Sequence, residues 1–174
     1  MGQIFRRQVV KPSCSWVLIL LTLPGCGSGV AVTAESLEQA RARWKRAGVA
    51  DYDLEWRTSG TNRADYEVKV RKGQVQSVEA VAPDGRRFPL KPAEPRFYSV
   101  DGLFLTIADE LAQLDQPTPF GRPKGSSTIL RFDPDPSYGY PRSYRRDVVG
   151  APSSLTIEVV RFRPVTVTAP APAR

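Results

Sequence analysis

The sequence contains no histidine, and it has only two cysteines among its 174 residues. Histidine is the commonest general base at neutral pH and the commonest transition-metal ligand, so its absence removes most acid–base and metal-dependent designs for catalysis. The chain also lacks a Gly-x-Ser-x-Gly segment and a phosphate-binding loop. These absences favour a non-enzymatic protein that uses no metal and no cofactor. The alternative is a hydrolase built from carboxylates, such as Asp51 and Asp147, and tyrosine.

The positive charge is too dispersed for a nucleic-acid-binding surface. Three basic residues, Arg6, Arg7 and Lys11, lie within the first 26 residues, where there is no acid. The remaining 22 of the 25 basic residues are interspersed with 18 acidic ones, which leaves a net charge of +4. Because nucleic-acid binding requires a concentrated basic patch, we expect no nucleic-acid partner.

The first 25 residues have the pattern of a bacterial export signal. The three basic residues precede an apolar run at 16–21. The apolar segment 13–25 is too short to cross about 30 Å of hydrocarbon as a helix. We therefore predict a signal peptide over 1–25 that is removed on export. Residues 5–11 also resemble a twin-arginine signal, so general secretion and twin-arginine export both remain open.

Cys26 ends the tetrad Leu-Pro-Gly-Cys at 23–26, which resembles the lipobox of bacterial lipoproteins. In those proteins the thiol receives a diacylglyceryl group before the signal peptide is cut away. Cys14 lies inside the predicted signal peptide, so Cys26 has no disulfide partner in the mature chain. We predict that acyl chains such as palmitate on Cys26 anchor the exported chain to a bacterial cell membrane, inner or outer. Ordinary signal cleavage near Gly29 or Ala34 is the alternative.

Beyond Cys26 the composition fits one packed domain with extensions. Apolar residues make up 41% of the chain and charged residues 25%, which are ordinary values for a globular protein. Small and polar residues over 26–35 predict a flexible tether. Alternating proline, alanine and threonine over 164–174 predict a disordered tail. The domain itself is expected over residues 36–163.

Periodicity predicts the elements of this domain. Apolar spacing predicts amphipathic helices over 37–47, with Ser36 in a capping box, and over 103–114, with Asp101 as N-cap. Alternating residues predict six strands, at 52–57, 66–71, 75–81, 128–132, 141–148 and 155–162. Residues 83–98 contain four prolines and are expected to form an irregular connection.

The order helix, three strands, helix, three strands predicts an α+β fold. In this fold an antiparallel sheet carries the two amphipathic helices on one face. The expected core consists of the apolar residues on the inner faces of these elements. They are Trp44, Leu54, Trp56, Val68, Val70, Leu103, Ile107, Leu111, Leu130, Ile157 and Val159.

Several segments between residues 44 and 147 carry a family resemblance. They are Trp44 before GVADYDL at 48–54, the hairpin VKVRKGQV at 68–75, Leu103-Phe104, Phe132-Asp133, the turn YGYP at 138–141, and Asp147. With these segments the chain resembles a family of exported bacterial proteins, many of them lipoproteins, that contain a domain of unknown function. The resemblance implies architecture and an exported location, and it implies no catalytic residues. Members often carry a cysteine pair after the first strand, whereas residues 58–65 contain no cysteine.

The segment FDPDPSYGYP at 132–141 is the densest group of acidic, aromatic and turn-forming residues. Asp133 and Asp135 offer carboxylate oxygens, while Tyr138 and Tyr140 can stack on a ligand, so these four are candidate contacts for a ligand or partner. Calcium binds six to eight oxygens, so two carboxylates are too few for a metal site. The alternative is a rigid turn, with Asp-Pro initiating it and the glycine between the tyrosines at positive φ.

Charged residues alternate with the apolar ones in the first three predicted strands. They are Asp53, Glu55, Arg57, Glu67, Lys69 and Arg71. Such a face can recognise a charged envelope polymer, or it can be a solvated surface with weak cross-strand pairs. The sequence thus predicts a membrane-tethered bacterial lipoprotein that binds or scaffolds a protein or polymer of the cell envelope.

Overall fold

The computed structural model describes residues 29–60, 63–116, 126–151 and 154–165. The predicted signal peptide, Cys26 and most of the predicted tail lie outside these ranges. Within them the chain forms eight strands, two α-helices and one 3₁₀ helix. In chain order these are β1 (Val30–Ala31), α1 (Ala34–Ala47), β2 (Tyr52–Gly60), β3 (Ala64–Arg71), β4 (Gln74–Val81), β5 (Arg87–Leu90), the 3₁₀ helix (Pro95–Tyr98), α2 (Val100–Gln113), β6 (Thr128–Pro134), β7 (Pro141–Val148) and β8 (Ser154–Pro164).

The strands form a single antiparallel sheet in the order β1-β6-β7-β8-β2-β3-β4-β5. Tight turns such as Lys72-Gly73, whose φ angles are +52° and +72°, join neighbouring strands as the right-handed twist of a hairpin requires. The last strand, β8, returns to pair with β2 and so unites the two halves of the chain. The predicted α+β class with an antiparallel sheet is confirmed.

Apolar side chains of the helices and strands form one core cluster. Nine of the eleven predicted core residues are buried, and Leu111 and Val159 are half-buried. Val159 and Phe162 both pack against the core cluster although they are three residues apart, because β8 pairs with β2 through a bulge, where Leu54 is opposite Phe162 but Trp56 is opposite Val159. An extra residue in one strand reverses the direction of the side chains that follow it.

The fold begins earlier than the predicted boundary at residue 36. Val30 and Ala31 pair with β6, and Val32 is buried, so residues 30–35 are not a flexible tether. Thr33, rather than Ser36, is the N-cap of α1. Its Oγ1 accepts the Ser36 N–H at 3.0 Å, while Ser36 Oγ accepts the Thr33 N–H at 2.9 Å. The capping box therefore lies three residues earlier than predicted.

Other boundaries also differ from the sequence expectation. Ser99 caps α2 by accepting the Gly102 N–H at 3.1 Å, whereas the predicted cap, Asp101, accepts the Trp44 Nε1–H at 3.2 Å. The connection over 83–98 is not wholly irregular, because it contains β5 and the 3₁₀ helix. Proline is tolerated in β5 because this strand lies at the edge of the sheet.

Candidate functional site

The sheet has a face of charged side chains, which we term the charged face. It is formed by the residues of the strands that alternate with the buried ones, because successive side chains of a strand point to opposite sides. The six charged residues predicted to share a face lie there: Asp53, Glu55, Arg57, Glu67, Lys69 and Arg71. Their placement follows from the burial of Tyr52, Leu54 and Trp56 between them.

Cross-strand ion pairs neutralise much of the charged face. Arg161 donates to Glu55 at 2.8 Å, and Arg87 donates to the two carboxylate oxygens of Glu67 at 2.9 and 2.6 Å. The hydrogen bond from Arg87 lowers the pKa of Glu67 below its usual range. These arginines are exposed, so solvent screens each pair and it contributes little stability.

Across β6, β7 and β8 the charged face forms an open groove of about 1020 Å³, which we term the arginine groove. Its charged lining consists of Arg131, Arg142, Arg145, Asp133, Asp147 and Glu158. Arg142 pairs with Asp133 at 2.6 Å, and Arg145 pairs with Asp147 at 2.7 Å. Two of the three arginines therefore have acidic partners inside the groove.

Arg131 and Arg145 stand directly opposite each other in the register of β6 and β7. Like charges in this position destabilise a sheet. Arg145 offsets the repulsion through Asp147, whereas Arg131 makes no hydrogen bond or ion pair with any residue of the described ranges. On its other side Arg131 is opposite Ala31 of β1. The exposed guanidinium of Arg131 is thus available to an external anion.

The turn between β6 and β7 is rigidly hydrogen-bonded. Asp135 Oδ1 accepts the N–H groups of Ser137 at 2.9 Å and Tyr138 at 2.7 Å. The Asp135 N–H donates to the Tyr140 carbonyl at 2.7 Å, and the Gly139 N–H donates to the Asp135 carbonyl at 2.9 Å. Gly139 has a φ of +85°, as the turn interpretation predicts.

The same turn packs against α1 and β8. A Cβ at Gly139 would lie 2.5 Å from the Ala40 carbonyl oxygen, so only glycine fits at this contact. The rings of Tyr138 and Tyr140 lie 5.4 and 4.6 Å from that of Phe162. Burial raises the pKa of Tyr140. Both tyrosines therefore contribute to the packing of the domain.

The structure separates the four candidate contact residues. Asp135, Tyr138 and Tyr140 come together in the turn, whereas Asp133 lies in the arginine groove and pairs with Arg142. In the part of the chain that the structure describes, no group of three or more potential ligands could hold a metal ion. Contact of these residues with a ligand or partner stays a prediction.

A buried acid between α2 and β7 was not identified from the sequence. Glu110 accepts a short hydrogen bond from the Tyr144 hydroxyl through Oε2, and Oε1 accepts from Arg146 at 2.7 Å. The sequence does contain evidence for this buried acid, because Glu110 follows Leu103 by seven residues and Ile107 by three. This spacing places an acid in the apolar stripe of the helix.

Burial determines the protonation behaviour of this Glu110–Tyr144–Arg146 network. It raises the pKa of Glu110, an effect that hydrogen bonding by Tyr144 and the charge of Arg146 partly offset. Burial and the hydrogen bond to Glu110 also raise the pKa of Tyr144. Both oxygens of Glu110 already have protein partners, so the network joins α2 to β7 rather than presenting a free carboxylate to a substrate.

These elements define an α+β domain, whose central part matches a known family. Residues 36–117 match the model of a family of unknown function (DUF6174). The match covers most of α1, β2 to β5 and α2, whereas the arginine groove and the β6–β7 turn come after it in the chain. A comparison with curated proteins finds no match. Over the described ranges, no helix has the length and apolar character to cross a membrane.

Proposed function

We propose that the protein is an exported binding or scaffold module of the bacterial cell envelope, held at a membrane by acyl chains on Cys26. The observation that carries this proposal is the position of Cys26. It ends the apolar segment 13–25 in a tetrad that resembles a lipobox, and the folded domain starts with β1 only four residues later. A modified residue at that point would attach the whole domain to the bilayer.

We also infer that both helices lie against the face of the sheet that carries Tyr52. Trp44 of α1 packs on Tyr52 with a ring separation of 5.6 Å and donates to Asp101 of α2. In β7, Tyr144 donates to Glu110 of α2. This arrangement supports a binding role, because it would leave the charged face open to a partner.

The partners of the acidic residues argue against the alternative, an exported hydrolase. Asp51 accepts the Lys72 N–H at 3.1 Å in the β3–β4 turn, while Asp147 pairs with Arg145 in the arginine groove. The buried acid, Glu110, is occupied by Tyr144 and Arg146. A carboxylate pair for glycoside hydrolysis needs one protonated acid and one free base facing the same substrate.

Acylation is tested by growing cells with an alkyne fatty acid and isolating the protein. The wild-type chain should carry the label and partition with membranes, and Cys26→Ser should lose both properties. Cys14→Ser is the matched control, since Cys14 lies in the predicted signal peptide and its replacement should leave labelling unchanged. Equal labelling of Cys26→Ser, or a mature N-terminus other than residue 26, would end the proposal.

The proposed binding or scaffold role is tested separately from acylation, by identifying a bound partner. Wild-type protein purified from membranes after cross-linking should yield a stoichiometric envelope component, protein or polymer. A clean preparation without such a component would count against a binding or scaffold role.

A further inference from the structure

The chain between Cys26 and the fold is short. Gly29 follows Cys26 by three residues, and an extended chain spans at most about 3.6 Å per residue, so the two residues lie within roughly 11 Å of each other. If Cys26 is acylated, as the proposed function states, the β1 edge of the sheet is held at the bilayer surface. A domain on so short a link stays close to the bilayer surface.

Arg131 lies beside the point where the chain enters the fold. A Cβ at Gly29 would be 3.6 Å from the Cβ of Arg131, and Ala31 is directly opposite Arg131 in the β1–β6 register. Anchorage at Cys26 therefore brings the exposed Arg131 side chain to the depth of the lipid headgroups. Ile129, which is 42% exposed, lines the same end of the arginine groove.

We propose that Arg131 and Arg145 together bind the phosphate of an anionic phospholipid in the membrane that holds Cys26. A guanidinium forms paired hydrogen bonds with phosphate oxygens. Arg145 remains paired with Asp147 at 2.7 Å through Nε and contributes its other N–H groups. Arg131 supplies a guanidinium that no carboxylate of the described ranges neutralises. Thr156 stands opposite Arg145 on β8 and adds a hydroxyl donor to the same row.

Two features distinguish this end of the charged face from the rest. Elsewhere arginines such as Arg161 and Arg87 bind carboxylates of neighbouring strands, so their charge is already used. Arg131 has no such partner within the described ranges. Arg163 of β8 has none there either, but only Arg131 is also next to Gly29, close to the proposed anchor. The unpaired guanidinium of Arg131 therefore lies close to the proposed membrane anchor.

The test uses the mature chain, residues 26–174, with Cys26→Ser, so that acyl chains make no contribution. Binding is measured by co-sedimentation with vesicles that contain phosphatidylglycerol and with vesicles of phosphatidylcholine alone. We expect binding to the anionic vesicles only, and weaker binding at higher salt. Arg131→Gln should lower the partition coefficient about fivefold, the contribution of one basic residue at an anionic surface.

Arg163→Gln is the matched control. Arg163 is an exposed arginine of β8 opposite Asp53, far along the charged face from β1. Its replacement removes the same charge and should leave vesicle binding unchanged. Arg131→Gln should also have an unchanged or higher urea midpoint, because it removes a repulsive pair, so a loss of binding would not reflect unfolding.

Several results would overturn the proposal. They are equal binding to the two kinds of vesicle, an equal effect of the two glutamine variants, and Arg131-dependent binding of inorganic phosphate without binding to vesicles. Because every chain in this experiment lacks Cys26, its failure leaves the acylation test untouched. Conversely, failed acylation would remove the anchor without deciding whether the two arginines bind a headgroup.

Discussion

Replacing Gly139 by alanine would perturb the contact between the β6–β7 turn and α1. The φ of +85° is a conformation that costs an L-residue about 1–2 kcal/mol. The added Cβ would lie 2.5 Å from the Ala40 carbonyl oxygen and 3.0 Å from the Trp44 backbone nitrogen. Both are backbone atoms of α1, so the turn and the helix would have to move apart. Overpacking of this kind costs about 1–3 kcal/mol.

We therefore expect Gly139→Ala to lower the free energy of unfolding by roughly 2–5 kcal/mol, the sum of conformational strain and steric clash. Gly85→Ala separates the two terms. Gly85 has a φ of +83°, and a Cβ there would meet nothing within 4 Å. It should lose only the strain of about 1–2 kcal/mol. The difference between the two variants measures how tightly the turn packs on α1.

The assay is equilibrium unfolding in urea, followed by tryptophan fluorescence, on the mature chain with Cys26→Ser as the common background. Midpoints and slopes of the three proteins give the free energies, provided that the slopes agree. If Gly139→Ala and Gly85→Ala lower the free energy of unfolding by the same amount, the close approach of the turn to α1 does not affect stability. The packing role given to this turn would then be wrong.

Two further predictions concern buried polar groups. Burial raises the pKa of Glu110 above its ordinary value of 4.5, so the folded state binds this proton more tightly than the unfolded state. Stability of the wild type relative to Glu110→Gln should therefore fall as the pH rises above about 4.5, and a pH-independent difference in urea midpoints would contradict this. Trp44→Phe should destabilise the domain about 1 kcal/mol more than Trp56→Phe in the same assay. The Trp44 Nε1–H donates to Asp101 at 3.2 Å, whereas the buried Nε1 of Trp56 has no hydrogen-bond partner among the described residues; equal losses would refute the reasoning.

Elements with strong periodicity could be predicted from the sequence. In β2 the alternation of Tyr52, Leu54 and Trp56 with charged residues defines both the strand and its buried side. In α1 the spacing of Leu37, Ala40 and Trp44 does the same for a helix. These signals are local, because each depends only on residues within a few positions of one another.

The two missed strands depend on pairing partners that are distant in sequence. β1 has only two residues, too few for any periodicity, and it exists because β6 offers a free edge. β5 contains Pro89, which usually argues against a strand. It forms because β4 pairs with it while its other side remains the outer edge of the sheet.

The arginine groove could not be predicted for the same reason. Arg131 and Arg145 face each other only because the β6–β7 turn sets the register of the two strands. Thr156 joins their row only because β8 lies next to β7 in the sheet. The alternation of buried and exposed residues within each strand could be predicted from the sequence. The arginine groove depends on the order of the strands in the sheet. Glu110 was different, since its place in an apolar helical stripe was visible in the sequence.

The strand order also bears on how an anchored domain would be oriented. β1 and β5 are the two edges of the sheet, separated by seven strand spacings. At about 4.8 Å per spacing, the β5 edge lies up to roughly 34 Å from the β1 edge. Under the proposed anchorage at Cys26, the arginine groove lies near the bilayer, and the ion-paired part of the charged face, around Glu55 and Glu67, extends away from it. A membrane contact and a contact with an envelope partner could then occupy opposite ends of one face without competing.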